Sequence, residues 1–182
     1  MIQTIHIGRL LRETVASPYR NLVTRPTGAA IRGRIQEALA HSDCRLALLD
    51  FSGIELLDLS CADEVVAKLL LADGECGGRC VVLRGLREDQ HEAIEHVLTH
   101  HHLAIAVVAP GTDDEGPRLL GWVTADARAA FTCICSRGAL TADGVAAALE
   151  WSRARVEEAL GALALHRLVR AEGELYHPLP LA

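Results

Sequence analysis

The chain has 182 residues, half of them hydrophobic and only 3% aromatic, and it carries a net charge of −6 at pH 7. That length suits one medium domain or two small ones, with a core built from Leu, Val, Ile and Ala. The acidic balance excludes nonspecific adhesion of the whole molecule to nucleic acid or anionic membrane, and no apolar run approaches the roughly 20 residues of a bilayer span.

In chain order, Ile2, Ile5 and Ile7 alternate with polar residues across IQTIHIGRLL and predict a first, edge-like strand. SPYRNLVTRPTG, punctuated by Pro18 and Pro26, reads as a loop. Ala30, Ile31, Ile35, Ala38 and Leu39 then recur at helical spacing, with Arg32, Arg34 and Glu37 outside the stripe. CRLALLDF is an unbroken apolar run ending at Asp50, as expected of a strand covered on both faces. A helix is predicted over 61–73 with Val65, Val66, Leu69 and Leu70 inward, closed by GECGGR. CVVLRGL is the next buried strand, REDQHEAIEHVLTHHH a helix with Ile94, Val97 and Leu98 on its apolar side, and LAIAVVAP another strand. Strands alternating with helices in this way imply an α/β layer fold over residues 1–109. Leu48, Leu49, Val65, Leu69, Val82, Leu83 and Val107 are expected in its core. APGTDDEGP is acidic, rich in Gly and Pro and unpatterned, so 110–118 is the predicted linker between two independently folded units.

Beyond the linker the pattern turns helical. Thr124 can cap ADARAAFTCICSRG, which Gly138 ends; Thr141 can cap ADGVAAAL; and Ser152 can cap RARVEEALGALALHRLV after the tight turn EWS. VRAEGELYHPL alternates around Glu172-Gly173, a short hairpin signal. Three helices and a hairpin, with the second and third helices joined by three residues, describe a winged helix-turn-helix over 119–182. Its expected core is Val145, Leu149, Trp151, Val156, Leu160 and Leu163. Residues 1–118 hold 12 basic and 17 acidic side chains (net −5) and 119–182 hold 6 and 7 (net −1), so the second unit is nearly neutral. Arg153 and Arg155 open the third helix, where arginine reaches phosphates or guanine edges, and Arg170 and His177 of the wing offer backbone contacts.

LVTRPTGAAIRGRIQEAL and LALLDFSGIELLDLSCADEVVAKLL resemble STAS domains, the fold of bacterial anti-sigma-factor antagonists, and more closely a STAS-like family of unassigned function. The resemblance spans roughly Met1 to Ala109. It implies a mixed sheet with helices and a partner-docking loop at Asp58, Ser60 and Asp63. In STAS antagonists that loop reads Asp-Ser-Ser-Gly, and its first Ser accepts phosphate from a partner kinase. Here Asp58 matches the Asp, Leu59 takes the place of the phosphoacceptor, Ser60 matches the second Ser, and Cys61 replaces the glycine. The departure implies a switch that is not controlled by phosphorylation, with Ser60 as the alternative acceptor beside the vacant position. In the residues' own terms, Asp58 and Ser60 read as structural caps, Ser60 for the helix starting at Cys61, with Asp63 and Glu64 at the positive end of its dipole.

The other chemistry-bearing residues form no recognised set. Cys76 and Cys80, like Cys133 and Cys135, lack zinc-ribbon spacing and read as small apolar packers. His96 and His100 stand one helical turn apart without the carboxylate of H-E-x-x-H and suit a helix C-terminus. No G-x-S-x-G elbow, P-loop or G-x-G-x-x-G follows a strand, so no enzyme, metal or cofactor is expected. With no secretory leader pattern at the N-terminus, the expected location is the cytoplasm, with six reduced cysteines. The functional expectation is a transcriptional regulator in which a STAS-like unit docks a protein partner or senses a signal, and a winged helix binds duplex DNA as a homodimer on a palindrome. The alternative is an adaptor without DNA in a sigma-factor or kinase partner-switching pathway.

Overall fold

The apolar runs LALLD and CVVLR become neighbouring parallel strands, each flanked by helices that return the chain to the same end of the sheet. A computed structural model describes residues 1–15, 19–72, 78–109 and 116–181. The protein is mixed α/β with a mainly parallel sheet. Strand β1 (Ile2–His6) passes straight into α1 (Ile7–Val15). β2 (Asn21–Leu22) and α2 (Arg25–Ala40) precede β3 (Leu46–Asp50). β4 (Leu56–Leu57), which pairs with β2 in a small parallel sheet, leads into α3 (Leu59–Ala62). That helix continues through a π turn (Asp63–Ala67) into α4 (Lys68–Ala72). β5 (Cys80–Arg84), α5 (Glu88–His100), β6 (Ala104–Val108) and β7 (Arg118–Gly121) complete the main sheet, whose order is β1-β3-β5-β6-β7. All neighbours are parallel except β7, which runs antiparallel to β6.

The two-residue period of a strand sorts the core into two clusters. Ala47, Leu49, Val81, Leu83, Ile105 and Val107 face α2, the α3–α4 helix and α5. Leu46, Leu48, Val82, Ala104, Ala106 and Leu119 face the other way. That second face is covered by α6 (Ala125–Arg137), α7 (Ala142–Leu149) and α8 (Arg153–Leu165). Both faces of the sheet are therefore buried, which explains why β3 and β6 read as continuous apolar runs. All seven residues expected in the α/β core are buried. In the C-terminal part Val145, Val156, Leu160 and Leu163 are buried, while Leu149 and Trp151 are partly so.

Around these helices β8 (Leu140–Thr141), β9 (Arg170–Glu172) and β10 (Leu175–His177) form an antiparallel sheet of order β8-β10-β9. The predicted caps are in place: Thr124, Thr141 and Ser152 accept from the backbone N–H of Ala127, Gly144 and Arg155. Gly138 ends α6 at φ 86° and Glu150 ends α7 in the left-handed region at φ 56°.

Four sequence expectations change. The alternation that predicts a strand through IQTIHIGRLL stops at His6, because Ile7 and Leu11 lie one helical turn apart and bury the same side of α1. The predicted loop before Ala30 contains β2 and the first turn of α2, which begins at Arg25 with Pro26 in its opening turn, where a missing N–H is harmless. The helix predicted from Cys61 starts at Leu59, and its cap is Asp58 rather than Ser60. The sheet continues past the predicted linker: residues 110–115 lie outside the described residues, but Arg118–Gly121 is a strand of the main sheet. Asp73 to Gly77, which includes most of the GECGGR predicted to close that helix and Cys76 with it, also lies outside them.

Candidate functional site

The loop singled out by the resemblance is fixed by one carboxylate. Asp58 Oδ1 accepts from Cys61 N at 2.7 Å and its Oδ2 accepts from Thr24 N at 3.0 Å, tying the start of α3 to the residue before α2. Thr24 sits at φ 72° and takes the Cys61 thiol on its carbonyl at 3.0 Å. Gly28 lets the two helices touch: a Cβ there would stand 2.9 Å from Glu64 Cβ and 3.0 Å from Cys61 Cα. Burial, then the charge of Asp58, pushes the Cys61 thiol up to about 12, so it is an inert packing group.

Past the first turn, two acidic residues gather cations. Glu64 is buried, and it accepts from Arg25, Arg32 and Lys68, the sole lysine of the chain. Asp63 accepts from Arg25 at 2.8 Å and lies 2.7 Å from His101 Nε2. Burial pushes the Asp63 carboxyl up, but the hydrogen bonds from Arg25 and His101 outweigh it and hold it below its ordinary value. Glu64 behaves alike: burial raises it, and Lys68 and Arg25 more than reverse this. The π turn, a conformation frequent at functional positions, carries both carboxylates.

Between α3 and α5, Arg25, Asp63 and His101 border a groove of about 360 Å³, lined also by Leu59, Ser60, His96, Val97 and His100. Leu59 is 50% exposed at its rim. The structure thus brings Ser60 and Asp63 to one surface, together with the histidines at the end of α5. Asp58 lies beneath as a structural double cap. Among the described residues no three His, Cys, Asp or Glu side chains converge as metal ligands.

The arginines of α8 sit differently. Arg155 places Nε and Nη2 each 2.7 Å from the two oxygens of Asp126, and its guanidinium stacks 4.1 Å from the centre of the Trp151 ring. Arg153 donates to Asp143 and, at 2.8 Å, to Glu157. Ser152 caps the helix and is committed to Arg155 N. In the hairpin, Arg170 Nε lies 3.0 Å from Glu172 but out of line for a hydrogen bond, and His177 lies 3.8 Å from the same carboxylate. Every arginine the sequence assigns to DNA is paired with a carboxylate. Glu158 on α8 and Glu174 at the hairpin tip add further negative charge.

A third polar centre closes the strand ends. Asp50, 5% exposed, accepts from Ser52 N at 2.9 Å, from Ser52 Oγ at 2.5 Å and from Arg84 Nη2 at 2.7 Å, and His6 Nδ1 lies 3.3 Å away. Burial pushes its carboxyl up, but Ser52 and Arg84 outweigh that and bring it to about 2. The sequence points to Asp50 and Ser52 only as a polar end to a strand. The register that adds His6 and Arg84 has no local signal.

Among the described residues no helix is long and apolar enough to cross a membrane. No protein-family model, curated protein or solved structure matches the chain.

Proposed function

We propose that the chain is a non-enzymatic regulatory adaptor of the cytoplasm, a STAS-like unit that docks a protein partner through the α3–α5 groove and carries a winged-helix unit on the opposite face of its sheet. The observation that carries this reading is Leu59, half exposed at the groove rim where the STAS resemblance puts a phosphoacceptor. A hydroxyl there would accept phosphate and change charge. A leucine offers a permanent apolar anchor in a groove it shares with His96, His100 and Arg25, the last a residue type enriched in binding hot spots. The test is co-purification of partners with the tagged chain from its own host, beside the Leu59→Asp variant. Proteins retained by the wild type and lost with Leu59→Asp support the reading. An identical set on both, or phosphoserine at Ser60 in intact-mass analysis, overturns it.

DNA binding is the second reading, favoured by the order α6-β8-α7-α8-β9-β10 and the three-residue turn Glu150-Trp151-Ser152, the layout of a winged helix. Electrostatics oppose it. Phosphate contacts supply most nonspecific affinity, and Asp126, Asp143, Glu157, Glu158, Glu172 and Glu174 surround the arginines that would make them. Crosslinking of the tagged protein to DNA across the genome decides between the two. Enrichment at palindromic sites, lost on replacing Arg153 and Arg155 by Ala, would establish a DNA-binding homodimer.

A further inference from the structure

The motif DFSG ends a strand at a position the proposed adaptor function leaves unused. Register places His6 opposite Asp50 and Asp50 opposite Arg84, so the last residues of three adjacent parallel strands stand in one row. All three side chains project from the sheet face that carries Leu48 and Val82, two residues earlier in β3 and β5. Open α/β sheets bind their ligands at this end of their strands. The middle member is buried and the outer two are open: the Asp50 side chain is 6% exposed, His6 59% and Arg84 39%.

Asp50 uses one guanidinium nitrogen and one imidazole nitrogen, and among the described residues it is the one partner of both side chains. An arginine has five N–H donors, so Arg84, 39% exposed, keeps donors beyond the one given to Asp50, and His6 keeps its far nitrogen. Arg12 brings a second guanidinium to this end of the sheet. Its Nη1 folds back to 3.5 Å from where a Gly8 Cβ would stand, beside the Gly53 backbone that follows Ser52. The base of the row is held rigidly, because a Cβ on Gly85 would come 2.4 Å from Ser52 Oγ and 3.0 Å from Asp50 Oδ1. A structural role for Asp50 would need only Ser52 and one cation. A buried carboxylate that anchors two exposed donors, with a second guanidinium at the nearby first turn of α1, is arranged to hold those donors for something else.

We propose that this row binds a phosphate monoester, with Arg84 and His6 as its direct ligands, Arg12 as a supporting cation and Asp50 as the positioning residue. Donors arriving from separate strands and from α1 suit an acceptor whose oxygens point in several directions, as in tetrahedral phosphate. A planar carboxylate suits a single bidentate arginine better. The same chemistry could come from a free phosphorylated metabolite or from a phosphorylated side chain of a partner.

The test titrates the full chain with inorganic phosphate and, separately, with a short phosphoserine peptide, following the His6 imidazole C–H resonances by NMR. The expected result is a saturable shift that weakens at least tenfold in Arg84→Gln, is partly restored by Arg84→Lys, and is unchanged by Arg137→Gln, a change of the same kind outside the row. Tighter binding of the peptide by tenfold or more assigns a protein-borne phosphate, and equal binding assigns a free one. Because Arg84→Gln also removes a partner of buried Asp50, the exposed variant His6→Gln gives an independent reading. The rise in Tm that phosphate produces in the wild type should vanish there. No saturable shift with either probe, equal affinity in Arg84→Gln, or an undiminished Tm response in His6→Gln overturns the proposal.

Discussion

Replacing Asp50 by Asn keeps the shape of the strand end and removes its charge. The amide oxygen can still accept from Ser52, but the amide nitrogen then meets Arg84 Nη2 and His6, donor against donor. The magnitude follows from the carboxyl itself. A drop from the ordinary 3.8 to about 2 in the folded protein corresponds, at about 1.4 kcal/mol per unit, to about 2 kcal/mol of stability. The sign is that of a depressed carboxylate. The contribution is fully present above the unfolded-state value near 3.8 and is lost as pH falls through about 2. Urea unfolding of both proteins across pH 7 to pH 2 reads this directly. At neutral pH the variant should be less stable by about 2 kcal/mol or somewhat more, since it also leaves a buried donor unmatched. Below about pH 4 the two stabilities should converge. Parallel curves down to pH 2, or equal stability at pH 7, would refute the account of Asp50 as a charge held in place by Ser52 and Arg84.

Gly85→Ala should lower stability by more than about 3 kcal/mol, because a left-handed backbone costs an L-residue about 1–2 kcal/mol and the new methyl also meets Ser52 and Asp50 at φ 72°. Gly53→Ala, at φ 107° with nothing near its Cβ, should lose only the backbone share; equal losses in denaturant midpoint would remove the close contact from the argument. A fragment of residues 1–109 should bind a hydrophobic dye and self-associate, since it uncovers Leu46, Leu48, Val82, Ala104 and Ala106. A monomeric fragment that unfolds cooperatively by light scattering and calorimetry would restore the independent unit that the sequence suggests.

Much of the α/β pattern is legible because it rests on local periodicity. β3, β5 and β6 are five-residue strands that are apolar over at least four positions, and α5 carries its stripe on one side. The threonine caps follow from the same local rules. What escapes the sequence depends on partners far away. β2 and β4 are two residues each and exist only as a pair. β7 is a four-residue edge whose identity comes from β6 across the acidic run. Ser60 looks like a cap as much as Asp58 does, and the choice is made by Thr24, whose N–H needs the same carboxylate. Arg153 and Arg155 are legible as exposed arginines at a helix start, but their neutralisation by Asp126 and Asp143 requires knowing how α6, α7 and α8 cross.

The covered second face of the sheet bears on how such a molecule could transmit a signal. Swinging the C-terminal helices away would expose Leu46, Leu48, Val82 and Leu119, and at about 1.5–3 kcal/mol for each large apolar side chain that amounts to about 6–12 kcal/mol. Coupling between ligand sites is commonly about 1–3 kcal/mol. A coupling of that size falls well short of opening the seam, so a signal passing through it would leave the helices seated on the sheet. The groove beside Leu59, the row at the strand ends and the carboxylate-paired arginines at the start of α8 are fixed points on a single ruler. A partner that touches two of them must match their spacing, and selectivity then comes from distance as much as from contact chemistry.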